Sequence, residues 1–163
     1  MSFWRTYYHL IWGTKNREHL ITEEVEPELF GMLVRRAGER GVFIYALNGW
    51  YDHVHVVAAI PPDQAVSEVV KYLKGGSSHD LNLRAGAPFF AWQPGYGVLT
   101  LGERQRSDAI AYVERQKEHH RNQTTHRWLE HESVDNEGPA DGRDRTAVLG
   151  ETLSEYDYLG DAP

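Results

Sequence analysis

The sequence contains no cysteine, which excludes disulfides, thiolate chemistry and sulfur-ligated zinc. No apolar run approaches the length of a membrane span. The opening MSFWRTYYHLIW lacks the basic-then-apolar order of a signal peptide, so a soluble, cytoplasmic protein with no membrane partner is expected. There is no phosphate-cradling G-x-x-x-x-G-K-[ST] and no internal repeat. An excess of positive charge is missing too: 17 Lys+Arg stand against 24 Asp+Glu, a net charge of −7. That imbalance is local. Glu132 to Pro163 carries two arginines and nine acids, while residues 1–131 hold 15 charges of each sign and all nine histidines. We read 1–131 as one domain and 132–163 as an acidic, flexible tail.

What is present is dominated by Trp50 to Ile60, WYDHVHVVAAI, an apolar strand with two histidines near its start. Side chains alternate along a strand, so His53 and His55 share a face with Cα atoms roughly 7 Å apart. Two titratable rings side by side gain nothing from an apolar strand; an ion would give the pair a reason. Around it, residues 3–14 read as a first strand. A helix starting near Thr22-Glu23-Glu24 follows, with Leu29, Phe30, Leu33, Val34 and Ala37 as its stripe and Gly41 as its stop. Val42 to Asn48 forms a hairpin with the histidine strand. Gln64 to Lys74 reads as a second helix broken by Gly75-Gly76, with Ser77-Ser78 capping a short further helix to Leu83. Gly95 to Leu101 is a fourth strand, and Ser107 caps a last helix from Asp108 to about Arg121. The order βαββαβ plus a helix predicts an α+β fold: a ferredoxin-like antiparallel sheet with helices on one face and a C-terminal helix bearing the chemistry.

That last helix contains Tyr112 and Gln116, four apart and therefore on one face. A phenol is a possible nucleophile, though a poor one at an ordinary pKa near ~10. Two imidazoles and one amide oxygen leave positions open for substrate oxygens. Such a donor set suits Mg²⁺ or Mn²⁺ better than structural zinc. Asp52 could orient a ligating ring by hydrogen bonding. His119 and His120 are rival ligands, read here instead as helix-end residues facing the dipole.

These segments together, WYDHVHVVAAIPP, VKYLKGGSS, a W-x-x-G-Y strand and a Y-x-x-x-Q helix, resemble the single-tyrosine HUH transposases of the insertion sequence 200/605 group. The opening H-L-I-W-G-T-K-N-R is similar as well, and the resemblance spans residues 5–121. It implies that His53, His55 and Gln116 hold the divalent ion and that Tyr112 attacks a single-stranded DNA phosphodiester. The products would be a 5′-phosphotyrosine and a free 3′-hydroxyl, rejoined by the reverse step without a nucleotide cofactor. It also implies a homodimer with active sites shared between subunits, Gly95, Gly97 and Gly102 letting the last helix move. The DNA partner would be a hairpin with flanking single strand at the element's ends. Lys15, Arg17, Lys71, Lys74, Ser77 and Arg84 are candidate backbone contacts, and Trp50, Trp92 and Tyr96 candidate stacking residues. Gly97, where a bulkier aromatic is common, and the acidic tail depart from the family pattern. Two other readings keep the fold: a host-adapted relative acting on repeated palindromic DNA, and a non-catalytic nucleic-acid-binding module.

Overall fold

The computed structural model describes residues 2–132. The tail read from the sequence, beyond Glu132, lies outside the described residues. Four strands form one sheet in the order β2-β3-β1-β4: β1 (Tyr7–Gly13), β2 (Phe43–Trp50), β3 (His53–Ala59) and β4 (Gly97–Leu101). All neighbours are antiparallel, with Gly13 opposite His53, Ile11 opposite His55 and Leu99 opposite His9. The β2–β3 ladder is irregular between Ile44 and Ala46.

The alternation of side chains along β1 and β3 builds two apolar layers. Leu10, Trp12, Val54, Val56 and Ala58 face α1 (Glu26–Glu39) and α2 (Val66–Ala85). Tyr7, Val57 and Ala59 face α3 (Glu103–Glu114), together with Leu101, Ala109, Tyr112, Val113 and Leu129. The ferredoxin-like sheet thus carries its paired helices on one face and the terminal helices on the other.

α1 starts with Pro27 and two glutamates in its first turn, where a missing N–H and negative charge are both favourable. Its buried residues are Leu29, Met32, Leu33 and Ala37; Val34, expected in that stripe, is exposed.

Two expected boundaries differ. The Gly75-Gly76 pair does not break α2, which runs unbroken to a left-handed Gly86. Two glycines cost a helix about 1 kcal/mol each. Against this, Arg36 of α1 makes a two-pronged bond to Asp80 of α2 at 2.8 and 3.0 Å, which ties the helices together. Gly76 is what admits Arg36: a Cβ there would overlap its guanidinium.

The last helix begins at Glu103, not near Ser107, because the Gly102 N–H is capped by Gln105 Oε1 at 2.7 Å. It is interrupted at Arg115 and resumes as α4 (Gln116–Asn122). Asn48 of β2 holds this joint, donating to the Glu114 carbonyl at 3.0 Å and accepting from Lys117 at 2.7 Å.

Candidate active site

β3 turns His53 and His55 toward α3 and α4, and both are buried, at 2% and 0% exposure. Each ring has its Nδ1 occupied. His53 Nδ1 lies 2.6 Å from Asp52 Oδ1, the contact expected for that aspartate. His55 Nδ1 lies 2.9 Å from Nε2 of His9, a fully enclosed ring of β1 stacked on it at 5.1 Å. Fixing Nδ1 in this way aims each Nε2 at one point.

That point is held by Glu130, in a short 3₁₀ turn after α4 (Trp128–Glu130). Its Oε2 lies 3.2 Å from His53 Nε2 and 3.1 Å from His55 Nε2. Its Oε1 accepts the Tyr112 hydroxyl at 2.6 Å and the Gln116 amide at 3.3 Å. Tyr112 Oη in turn accepts the His126 N–H at 3.0 Å. Although α3 and α4 are interrupted between them, Tyr112 and Gln116 reach the same carboxylate oxygen. The Tyr112 phenol therefore lies beside the histidines of its own chain, its ring 6.1 Å from that of His55.

Gln116 supplies a further feature. It is fully buried, and its Oε1 has no hydrogen-bond partner. A buried carbonyl oxygen with no partner, on a side chain that shares Glu130 with the two imidazoles, is the kind of donor a hard divalent cation takes.

His120 does stand in the last turn of α4, as read from the sequence, and it also enters the centre. It stacks on Trp50 at 5.1 Å and places Nε2 3.1 Å from His53 Nε2. Ligand atoms of His53, His55, His120 and Glu130 all lie within 4.8 Å of one another.

Burial and neighbouring charge set the protonation of these groups. Burial pushes His9 down to about 3, with the nearby His55 adding to the effect. Burial likewise takes His55 to about 4, against the upward pull of Glu130. Burial alone would lower His53 as well, but hydrogen bonds to Asp52 and Glu130 raise it. Burial and then the charge of Glu130 push the Tyr112 phenol well above its ordinary value. Burial would raise Glu130, yet bonding to His53 and His55 holds it far below the usual carboxylate range.

The candidate DNA contacts are less uniform. Lys15, Lys71 and Arg84 are exposed, Arg84 paired with Glu28 at 2.5 Å. Arg17 pairs with Asp52 and Glu132. Lys74 is partly buried and donates to the Gln93 and Gly95 carbonyls at 2.7 Å each, holding the loop that enters β4. Ser77 is a correction: it is fully buried and accepts the Trp92 indole N–H at 3.0 Å, since its side of α2 faces the core. Trp92 and Tyr96 pack against that core and are only partly exposed.

His9 and Glu130 were missed by sequence reasoning. The trace of His9 was a lone titratable residue in an apolar strand. Glu130 left no local signal; it stands next to the acidic stretch and outside every motif.

A ferredoxin-like sheet that turns a His-x-His pair toward a tyrosine and a glutamine of terminal helices is the arrangement expected of a DNA transposase of the single-tyrosine class. The family model described as "Transposase IS200 like" matches residues 2–116, and the chain belongs to that family. It is 32% identical over 118 residues to the ISDra2 transposase TnpA of Deinococcus radiodurans, covering 67% of this chain and 82% of that protein. It is 30% identical over 106 residues to the transposase for insertion sequence element IS200 of Salmonella typhimurium, covering 61% of this chain and 70% of the relative. A crystal structure of a transposase from Deinococcus radiodurans R1 matches with a TM-score of 0.57 at 30% identity, over 71% of this chain and 95% of that one. The structure of a REP-associated tyrosine transposase bound to a REP hairpin shares the fold with a TM-score of 0.56. It is 18% identical, over 78% of this chain and 76% of the other.

Proposed function

We propose that this protein cleaves and rejoins single-stranded DNA, with Tyr112 as nucleophile. The observation that carries the reading is the convergence on Glu130: the phenol sits on one carboxylate oxygen and both imidazoles sit on the other. A carboxylate presents two oxygens much as a phosphodiester does, so a DNA phosphate in the same place would meet the phenol and the histidines together.

In the step itself, Tyr112 Oη forms a bond to phosphorus and the bond from phosphorus to the 3′ oxygen breaks. The phenol gives up its proton and the departing 3′ oxygen gains one, leaving a 5′-phosphotyrosine and a 3′-hydroxyl. Attack by another 3′-hydroxyl on the phosphotyrosine reverses the chemistry and transfers the strand. The ester bond is exchanged, so no nucleotide cofactor is required.

His53, His55 and the Gln116 carbonyl oxygen would hold Mg²⁺ or Mn²⁺, which when bound supplies charge neutralisation at the phosphate. Asp52 and His9 fix the two ring orientations. Exposed Lys15, Lys71 and Arg84, with Arg17, are candidate contacts to the DNA backbone. Hairpin DNA as the partner is supported by the fold neighbour, a transposase bound to a REP hairpin. We also infer a homodimer, with 1–131 as the transposase domain and residues 132–163 as an acidic appendage. Exchange of the tyrosine helices between subunits is not needed to bring phenol and imidazoles together. Mixing His53→Ala and Tyr112→Phe subunits tests the exchange: cleavage recovered in the mixture supports shared sites, and none removes them.

The deciding experiment incubates the protein with single-stranded DNA carrying its own flanking sequence, in Mg²⁺ or Mn²⁺. A covalent protein–DNA band that disappears in Tyr112→Phe is the expected result. A band that persists in Tyr112→Phe would refute the assignment.

A further inference from the structure

The chain after α4 returns across the sheet face, and its fit there is close. His126 donates its N–H to the Tyr112 oxygen, and the Glu130 N–H closes a turn on the His126 carbonyl at 3.0 Å. Leu129 is buried against the layer that holds Tyr112 and Val113. Glu132 reaches Arg17 at 3.5 Å and bonds Gln93. Two glycines of the sheet make room for this passage. A Cβ on Gly97 would overlap the His131 carbonyl oxygen, and one on Gly13 would meet the Glu132 carboxylate. His120 and Glu130 also lie beyond the residues that the family model matches.

We propose that Glu130 is a carboxylate ligand of the His53–His55 centre in the DNA-free protein, carried on a strap of residues 126–132 that an incoming DNA phosphate displaces. This rests on the DNA-cleaving reading above and adds a resident occupant to its centre. Geometry makes the two occupants exclusive. Glu130 Oε2 takes both imidazole Nε2 atoms and Oε1 takes the phenol, so a phosphate aligned with the phenol must occupy the volume of that carboxylate. With His120 3.8 Å from Oε2, the carboxylate and a third imidazole join the two imidazoles and the Gln116 oxygen of that reading in the absence of DNA. Such a set keeps a divalent ion in place between reactions and covers the nucleophile until substrate arrives.

The test uses the full chain as wild type, Glu130→Gln, Glu130→Ala and His53→Ala. Mn²⁺ binding without DNA is measured by titration calorimetry, and binding of a fluorescent dT20 oligonucleotide is measured in EDTA. Both Glu130 variants are expected to bind Mn²⁺ roughly tenfold more weakly or worse. Their affinity for dT20 should rise about threefold or more, because a negative charge has left the place a phosphate takes. If both Glu130 variants bind Mn²⁺ like wild type while His53→Ala does not bind it, Glu130 is no ligand and the proposal fails with the metal centre intact. Weaker Mn²⁺ binding with unchanged dT20 affinity overturns the displacement. Mn²⁺ binding that is indifferent to His53→Ala would instead defeat the reading of the centre itself.

Discussion

Glu130 joins Tyr112 to His55: one carboxylate oxygen accepts the phenol at 2.6 Å while the other lies 3.1 Å from the imidazole Nε2. Phenol and imidazole pair are thus one carboxylate apart, and a change at any of the three should be felt by the other two.

Removing the Tyr112 hydroxyl separates chemistry from stability. Tyr112→Phe should abolish the covalent DNA adduct while destabilising the fold by only about 2–4 kcal/mol, since two hydrogen bonds to the strap, one of them to a carboxylate, are lost. Urea midpoints beside the adduct assay check this. A globally unfolded variant would contradict it.

Gln116 should behave in the opposite way. Its orphaned Oε1 already burdens the metal-free fold, so Gln116→Met is expected to leave stability in EDTA unchanged or raised. The rise in Tm that Mn²⁺ gives the wild type should shrink sharply in this variant. Thermal scans with Mn²⁺ and with EDTA supply the comparison.

Acid should weaken the metal-free protein through His9 and His55. Their folded values, about 3 and about 4, lie below the ordinary histidine value of 6.5. Between those limits the unfolded chain binds more protons, so stability falls as pH drops below 6.5, and the loss levels off near 4 for His55 and near 3 for His9. For His55 alone the loss is on the order of 3 kcal/mol. His53, whose value is raised, works in the other direction and is lost as pH climbs through its folded value. The clean measurement is therefore a difference: urea midpoints from pH 7 to pH 4 in EDTA should slope less in His9→Gln than in wild type.

Gly97 should be intolerant of any side chain. Gly97→Ala places a Cβ on the His131 carbonyl, so the strap must lift from β4. Amide exchange at His126, whose N–H is held by Tyr112, should then accelerate by about tenfold or more, while core amides of β1 and β3 keep their protection. Equal protection at His126 in wild type and variant would show that the strap can seat without this glycine.

Strand alternation and helical spacing are properties of neighbouring residues, and they sufficed to place His53 beside His55 and Tyr112 above Gln116. The order of elements and the metal-suited donor types followed from the same local rules. Three features needed the folded chain. The continuity of α2 through two glycines rests on an Arg36–Asp80 bond between two helices, its partners 44 residues apart in the chain. The role of His9 depends on antiparallel pairing that sets it diagonal to His55, a register written in no single segment. The place of Glu130 depends on a chain reversal that brings residue 130 back to residues 53 and 55. Local pattern can name the residue types able to bind an ion or attack a phosphate. Which distant groups complete the centre is decided only when long-range packing closes the chain on itself.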